Sequence, residues 1–286
     1  PSSNYTKDTK SDRKMHAILI NNSGEFYEFG HHVNHAANAF FSSQFDEALI
    51  ITMDGGGHEV DTTETAFTIS RGTGNRIERI LTIPENKLNL GLVWSFVTRD
   101  VFGLSVGFPN GHQAGTVMAM AALGDPKHTS LFKNYEENLR EFKRIAAICE
   151  KEKFNIAASL QEYTETVFRR AVSKYISGNT NLCISGGVAL NCVLLGKMRQ
   201  WFPQIKNIFC DPVLYDAGLA LGAARYLWHH VLGNPRIKNT VQNSSPYLGK
   251  SYSKNEVLKA CKQRHLKGSI TLQKASDHQV VTKISD

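Results

Sequence analysis

Two apolar runs of strand length pass straight into glycine: "EALIITMDGGG" at residues 47–57 and "NLCISGGVALNC" at residues 181–192. A short Ile- and Leu-rich run bounded by glycines reads as a buried strand, so the first is expected to stop at Asp54 with Gly55–Gly57 as its turn. The second is a strand, a Ser-Gly-Gly turn and a helix. Between the two, "TAFTIS" and "RIERILTI" alternate in the strand manner across "RGTGN", a hairpin that extends a sheet with antiparallel partners. "NIFCDPV" adds a strand, and "YDAGLALGAARYLWHHVL" a helix approached by Asp216. The order predicts an α/β fold with a mixed sheet.

The other expected elements are a short strand in "GEFYEF", a buried helix over Val33–Ser43, and helical turns over residues 90–104. "GLSVGFPNGHQAG" reads as a loop. "TVMAMAAL" reads as a short buried helix ended by "GDP", and residues 131–151 as a charged surface helix. A long helix then presents Ile156, Leu160, Val167, Ala171 and Tyr175 on one face, with Asn155 as its cap. "GNPRIKNTVQNSSP" has the composition of a linker, and something new begins at "YLGKSYSKNEV". The chain opens on Pro1 and ends in "VVTKISD", as a piece of a longer protein would.

Composition narrows the function classes. With 286 residues, 41% of them hydrophobic, the chain can build a real core. It contains no apolar run of about 18 residues, so no membrane span is expected. The formal charge is +7, but the basic residues are interleaved with acidic ones, as in "CEKEK". That pattern suits a solvated surface rather than a nucleic-acid face. Five scattered cysteines with no CxxC point to a reducing cytoplasm and against a cysteine zinc site.

The chemistry-bearing residues form a short set. In "HHVNHAANAF", His31 and His35 have the helical spacing that lets two imidazoles serve one divalent ion, and His32 would point elsewhere. A packed helix that happens to be rich in histidine is the other reading. Asp54 and Asp216 are the carboxylates placed to complete the pair, Asp216 having the alternative of a helix cap. "DGGGH" and "SGGVALN" bare the backbone at two strand ends, which suggests nucleotide binding between two lobes. No GKS or GKT and no dinucleotide fingerprint occurs, and Ser185 lacks the surroundings of a nucleophile elbow.

Taken in order, "HHVNHAANAF", "MDGGG", "CISGGVALNC" and "DPVLYDAGLALGAA" resemble the O-carbamoyltransferases, which include the nodulation-factor, cephalosporin and tobramycin enzymes. "NLGLVWSFVT" and "NIAASLQEYTE" are similar to that family's intervening segments. The resemblance implies an actin-like, sugar-kinase-like (ribonuclease H-like) two-lobed domain related to the tRNA threonylcarbamoyl transferases. It implies a carbamoyltransferase: a carbamoyl group passes from carbamoyl adenylate, made from carbamoyl phosphate and ATP, to a hydroxyl of a small acceptor.

It further implies that His31, His35, Asp54 and Asp216 hold a divalent metal, iron or else zinc, manganese or magnesium. Gly55, Gly56, Gly57, Ser185, Gly186, Gly187 and Asn191 would hold the adenylate, with His32 and Asp54 beside the transferred group. The domain organisation it implies is a catalytic domain over residues 1–235 lacking its first strands, a linker over 236–246, and the start of a synthase-like domain over 247–286. "AGTVMAMA", with Ala114, Thr116 and Ala119, departs from the family's Glu-Gly-Lys-Val-Met-Gly-like segment. That departure leaves the alternative of a nucleotide-binding module without transfer; the shared HxxxH and late Asp leave a second, a tRNA threonylcarbamoyl transferase relative. The acceptor and the oligomeric state, a homo-oligomer included, stay open.

Overall fold

The structure, a computed structural model, describes residues 26–61, 63–104, 113–236 and 249–263. The chain divides into two compact units, residues 1–244 and 245–286. In the first unit, helix α1 (His31–Ser42) precedes strand β1 (Glu47–His58) and the hairpin β2 (Glu64–Thr73) and β3 (Arg76–Pro84). Helices α2 (Leu90–Phe96), α3 (Ala114–Ala121), α4 (Leu139–Ala146) and α5 (Glu150–Ile176) follow. The unit continues with β4 (Asn181–Ser185), α6 (Cys192–Trp201), β5 (Asn207–Cys210) and α7 (Leu219–Arg225). In the second unit, α8 (Lys254–Gln263) starts at a reciprocal cap: the Ser253 and Glu256 side chains each accept the other's backbone N–H.

The sheet runs β3-β2-β1-β4-β5. β1 pairs parallel with β4, and β4 with β5; β2 is antiparallel to both of its neighbours. This is the mixed sheet expected of the ribonuclease H-like class. β1 lies at its centre and is covered on both faces, which is why its sequence is continuously apolar rather than alternating. Leu49, Ile51 and Met53 pack on one face with Phe168, Val172 and Ile176 of α5. Ala48 and Ile50 pack on the other with Ala36, Ala37, Ala39 and Phe40 of α1. The small residues let α1 lie close: a side chain at Gly222 of α7 would collide with the Asn34 backbone. Ile156, Ala157 and Leu160 of α5 belong to a second core with Val93, Phe132 and Phe142. One long helix therefore joins two cores.

Several local expectations change. β1 does not stop at Asp54. It continues to His58, with three of its residues opposite Ala66 between the pairs Met53–Phe67 and Gly57–Thr65. The glycines make a bulge instead of a turn, because the hairpin partner resumes pairing beyond them. Residues 26–29 of "GEFYEF" form no strand. The segment 131–151 is not one helix: Asn138 Nδ2 donates to the Leu131 carbonyl and breaks it. α5 begins at Glu150, so Asn155 is inside it; buried there, its Oδ1 accepts the Asp125 N–H and ties down the preceding loop. The second half of the α5 stripe is centred one residue later, on Phe168, Val172 and Ile176, with Val167, Ala171 and Tyr175 at its margin. In α3 only Val117 is buried. The expected N-terminal disorder, most of the "GLSVGFPNGHQAG" loop and most of the linker lie outside the described residues. No helix among the described residues is long and apolar enough to cross a membrane.

Candidate metal and nucleotide site

Four residues make slightly more than one helical turn, so α1 carries His31 and His35 on the same face. Their Nε2 atoms lie 3.1 Å apart. Asp54 Oδ2 approaches them to 3.5 and 2.9 Å. Asp216, in the turn before α7, places Oδ1 3.7 and 3.5 Å from the same two nitrogens. One ligand atom from each of the four lies within 4.8 Å of every other. Elements far apart in sequence thus converge on one point.

The bulge aims Asp54. Its Oδ1 accepts the Gly55 N–H at 2.6 Å, and its Oδ2 accepts the Gly187 N–H at 3.1 Å. The carboxylate therefore bridges the ends of two parallel strands. The bare sides of the glycines are used by the protein itself. Any side chain at Gly57 would collide with the His31 ring, and one at Gly55 is faced by the backbone of Gly91. Gly56 (φ 124°) lies under the Glu85 carboxylate. Gly186 (φ 95°) packs on the Met53 backbone and donates its N–H to the Leu214 carbonyl at 2.7 Å.

Ser185 Oγ donates to the same carbonyl at 2.9 Å and stands 3.5 Å from His35 Nδ1. Asn191 caps α6, its Oδ1 accepting the Leu194 N–H, and its Nδ2 donates to Gln161 Oε1. Sequence reading missed the polar cluster beneath this turn. Gln161 also bonds Glu165, whose carboxylate receives Lys197 at 2.7 and 2.8 Å. The signal was available in Gln161 and Glu165, two polar residues four apart and so on one helix face.

His32, expected beside the transferred group, turns its ring nitrogens into the sheet, with its ring edge-on to His31 at 5.2 Å between centroids. Its ring nitrogens meet Thr52 Oγ1 at 2.7 Å and the Thr65 carbonyl at 2.8 Å. Burial and the neighbouring His31 push its pKa down to about 3. For His35, burial acts downward, but hydrogen bonds to Asp216 and Asp54 prevail and raise it to about 8. Burial would raise Asp54, yet bonds from His31 and His35 hold its carboxyl well below the usual range.

The donor set fits a divalent cation. Two imidazole nitrogens 3.1 Å apart and two carboxylates face one point, where a cation takes both nitrogen lone pairs and neutralises both carboxylates.

Comparison with known proteins supplies the family. The family profile described as "Carbamoyltransferase N-terminus" matches residues 13–150 and 137–225. Nodulation protein NolNO of Sinorhizobium fredii is 32% identical over 216 residues, covering 68% of this chain and 30% of that protein. The 3'-hydroxymethylcephem-O-carbamoyltransferase of Streptomyces clavuligerus is 29% identical over 158 residues, 50% of this chain and 30% of that protein. The crystal structure of HypF from T. kodakarensis superposes with a TM-score of 0.52 at 15% identity, over 78% of this chain and 39% of that one, a likeness of fold. The chain spans less than half the length of the curated relatives it matches. By its matched profile, the chain belongs to the carbamoyltransferase family, in the N-terminal part that the profile describes.

Proposed function

We propose that this chain is the metal- and adenylate-holding part of an O-carbamoyltransferase, acting on a hydroxyl of a small acceptor. The observation that carries the reading is the convergence of His31, His35, Asp54 and Asp216 within 4.8 Å. The Ser185–Gly187 turn is bonded directly to that cluster through Asp54. Family membership supplies the group transferred.

In this reading the four side chains hold a divalent ion of the iron, zinc, manganese or magnesium kind. When bound, the ion would act as a Lewis acid toward the phosphate and the carbamoyl oxygen of carbamoyl adenylate. The chain's own residues do the placing. Asp54 ties the β1 bulge to the β4 turn, so the ion's ligands and the adenylate's cradle move as one body. Gly55–Gly57, Ser185–Gly187 and Asn191 shape that cradle, and their internal hydrogen bonds pre-form it. Burial of His31 and His35 keeps water from the imidazole side. The proposed organisation is a transfer domain to about residue 235, a linker, and the beginning of a synthase-like domain from residue 247.

Incubation of the full-length protein with carbamoyl phosphate, ATP and a panel of hydroxylated acceptors tests this. Expected are ATP–pyrophosphate exchange and a product heavier by one carbamoyl group, with transfer lost in His35→Ala. Tight ADP binding with neither exchange nor product would sink the proposal and leave a nucleotide-binding module.

A further inference from the structure

We infer that His32 is a positioning residue that fixes the distance between the His31/His35 pair and Asp54, and that it does so as the neutral tautomer protonated on Nε2. The positioning role rests on the metal-site reading; the tautomer does not.

The argument is one of donors and acceptors. The Thr65 carbonyl can only accept, so the His32 nitrogen 2.8 Å from it, Nε2, carries a proton. The ring is fully buried, and no carboxylate is hydrogen-bonded to either nitrogen, so a second proton would put an unpaired charge in the core. Nδ1 is therefore an acceptor, and the Thr52 hydroxyl 2.7 Å away donates to it. With its one proton committed, Thr52 Oγ1 accepts from Thr68 Oγ1 at 2.6 Å. The string has a single direction: Thr68 to Thr52 to His32 to the Thr65 carbonyl.

That string joins α1 to both β1 and β2. Asp54 follows Thr52 by two residues on the same strand, and His31 and His32 are adjacent on the helix. The backbone N–H of His32 donates to Glu59 Oε1 at 3.1 Å, a second tie from just beyond β1 to the first turn of α1. Both ties run to β1, which supplies Asp54, and to its immediate neighbours in the sheet and chain. An apolar residue in place of His32 would fill the space but remove the link from Thr52 to the Thr65 carbonyl, and α1 would be free to shift on the sheet. Glutamine offers one acceptor and one donor along a similar reach.

Nitrogen-15 NMR of the histidine rings in the metal-free chain reads the tautomer. An Nε2–H pattern for His32 is expected, and an Nδ1–H or doubly protonated ring overturns the assignment. Cobalt(II) binding, followed by its visible absorption, reads the positioning. His32→Leu should fold, by circular dichroism, yet bind cobalt about tenfold or more weakly with an altered spectrum, as loss of outer-shell support does. His32→Gln should recover the wild-type spectrum. A His32→Leu chain that binds cobalt like the wild type removes the positioning role. If the wild type binds no cobalt, the metal reading fails instead. Positioning is then read in crystal structures, where the 2.9 Å His35–Asp54 contact should persist in His32→Gln and open in His32→Leu; its persistence in both overturns the role.

Discussion

Adjacent histidines in this chain have opposite fates. His31 and His32 differ by one position, about 100° of helix rotation, and that angle sends one ring to the carboxylates and the other into the sheet. The cysteines divide in the same way by environment. Cys183 is fully buried on β4, and burial pushes its thiol up to about 12; Cys210 is pushed up to about 11. Cys149 and Cys192 are exposed. Because the thiolate is the reactive form, iodoacetamide at pH 8 should label Cys149 and Cys192 within minutes and leave Cys183 unlabelled until the chain is denatured. Peptide mass mapping with and without denaturant checks this; native labelling of Cys183 as fast as of Cys149 would contradict it.

At the scale of elements, the site depends on how closely α1 and the β1 bulge approach. Gly57 has no room for a side chain because the His31 ring fills that side. Gly57→Ala should therefore displace His31 and cut divalent-metal affinity by about tenfold or more, measured by cobalt or zinc titration. Gly74, with open space around it, is the control. Its φ of 56° makes an alanine there locally strained, so Gly74→Ala should lower the melting temperature slightly and leave metal affinity unchanged. The long helix α5 is set by its packed stripe. Phe168 is fully buried against the sheet, and Phe168→Ala should cost about 3–5 kcal/mol in urea unfolding, if the shortened core still folds. Val167→Ala, at the margin of the stripe, should cost less. Equal losses would mean that the stripe is centred as the periodicity alone suggested.

For the molecule as a whole, the three apolar cores among the described residues draw on residues between Ala36 and Tyr226. The unit formed by residues 1–244 should therefore fold without the remainder. A chain ended after Ser244 is expected to keep its circular dichroism and to melt within a few degrees of the 286-residue chain. Loss of cooperative melting would show that residues 245–286 complete its core.

How much of this was legible in the sequence follows from the range of the forces involved. Strand and helix identities of β1, β4 and α5, the hairpin, and the HxxxH face depend on spacing within a few residues, and the periodicity displayed them. So did the mixed-sheet class. The bulge at Asp54 was not legible, because it depends on where β2 resumes pairing, at Thr65 and Glu64 on the next strand. The break between Asn134 and Leu139 was hidden for the same reason: one asparagine side chain, Asn138, competes with the helix for the Leu131 carbonyl. Sequence by itself named four candidate ligands, by spacing and by a family resemblance. Only the tertiary structure brought their atoms within 4.8 Å of one another, and turned His32 into the sheet to meet Thr52 and Thr65. Convergence of residues 31, 54 and 216 is set by how a helix and two strand ends pack on one core, and no local spacing in a chain encodes that distance.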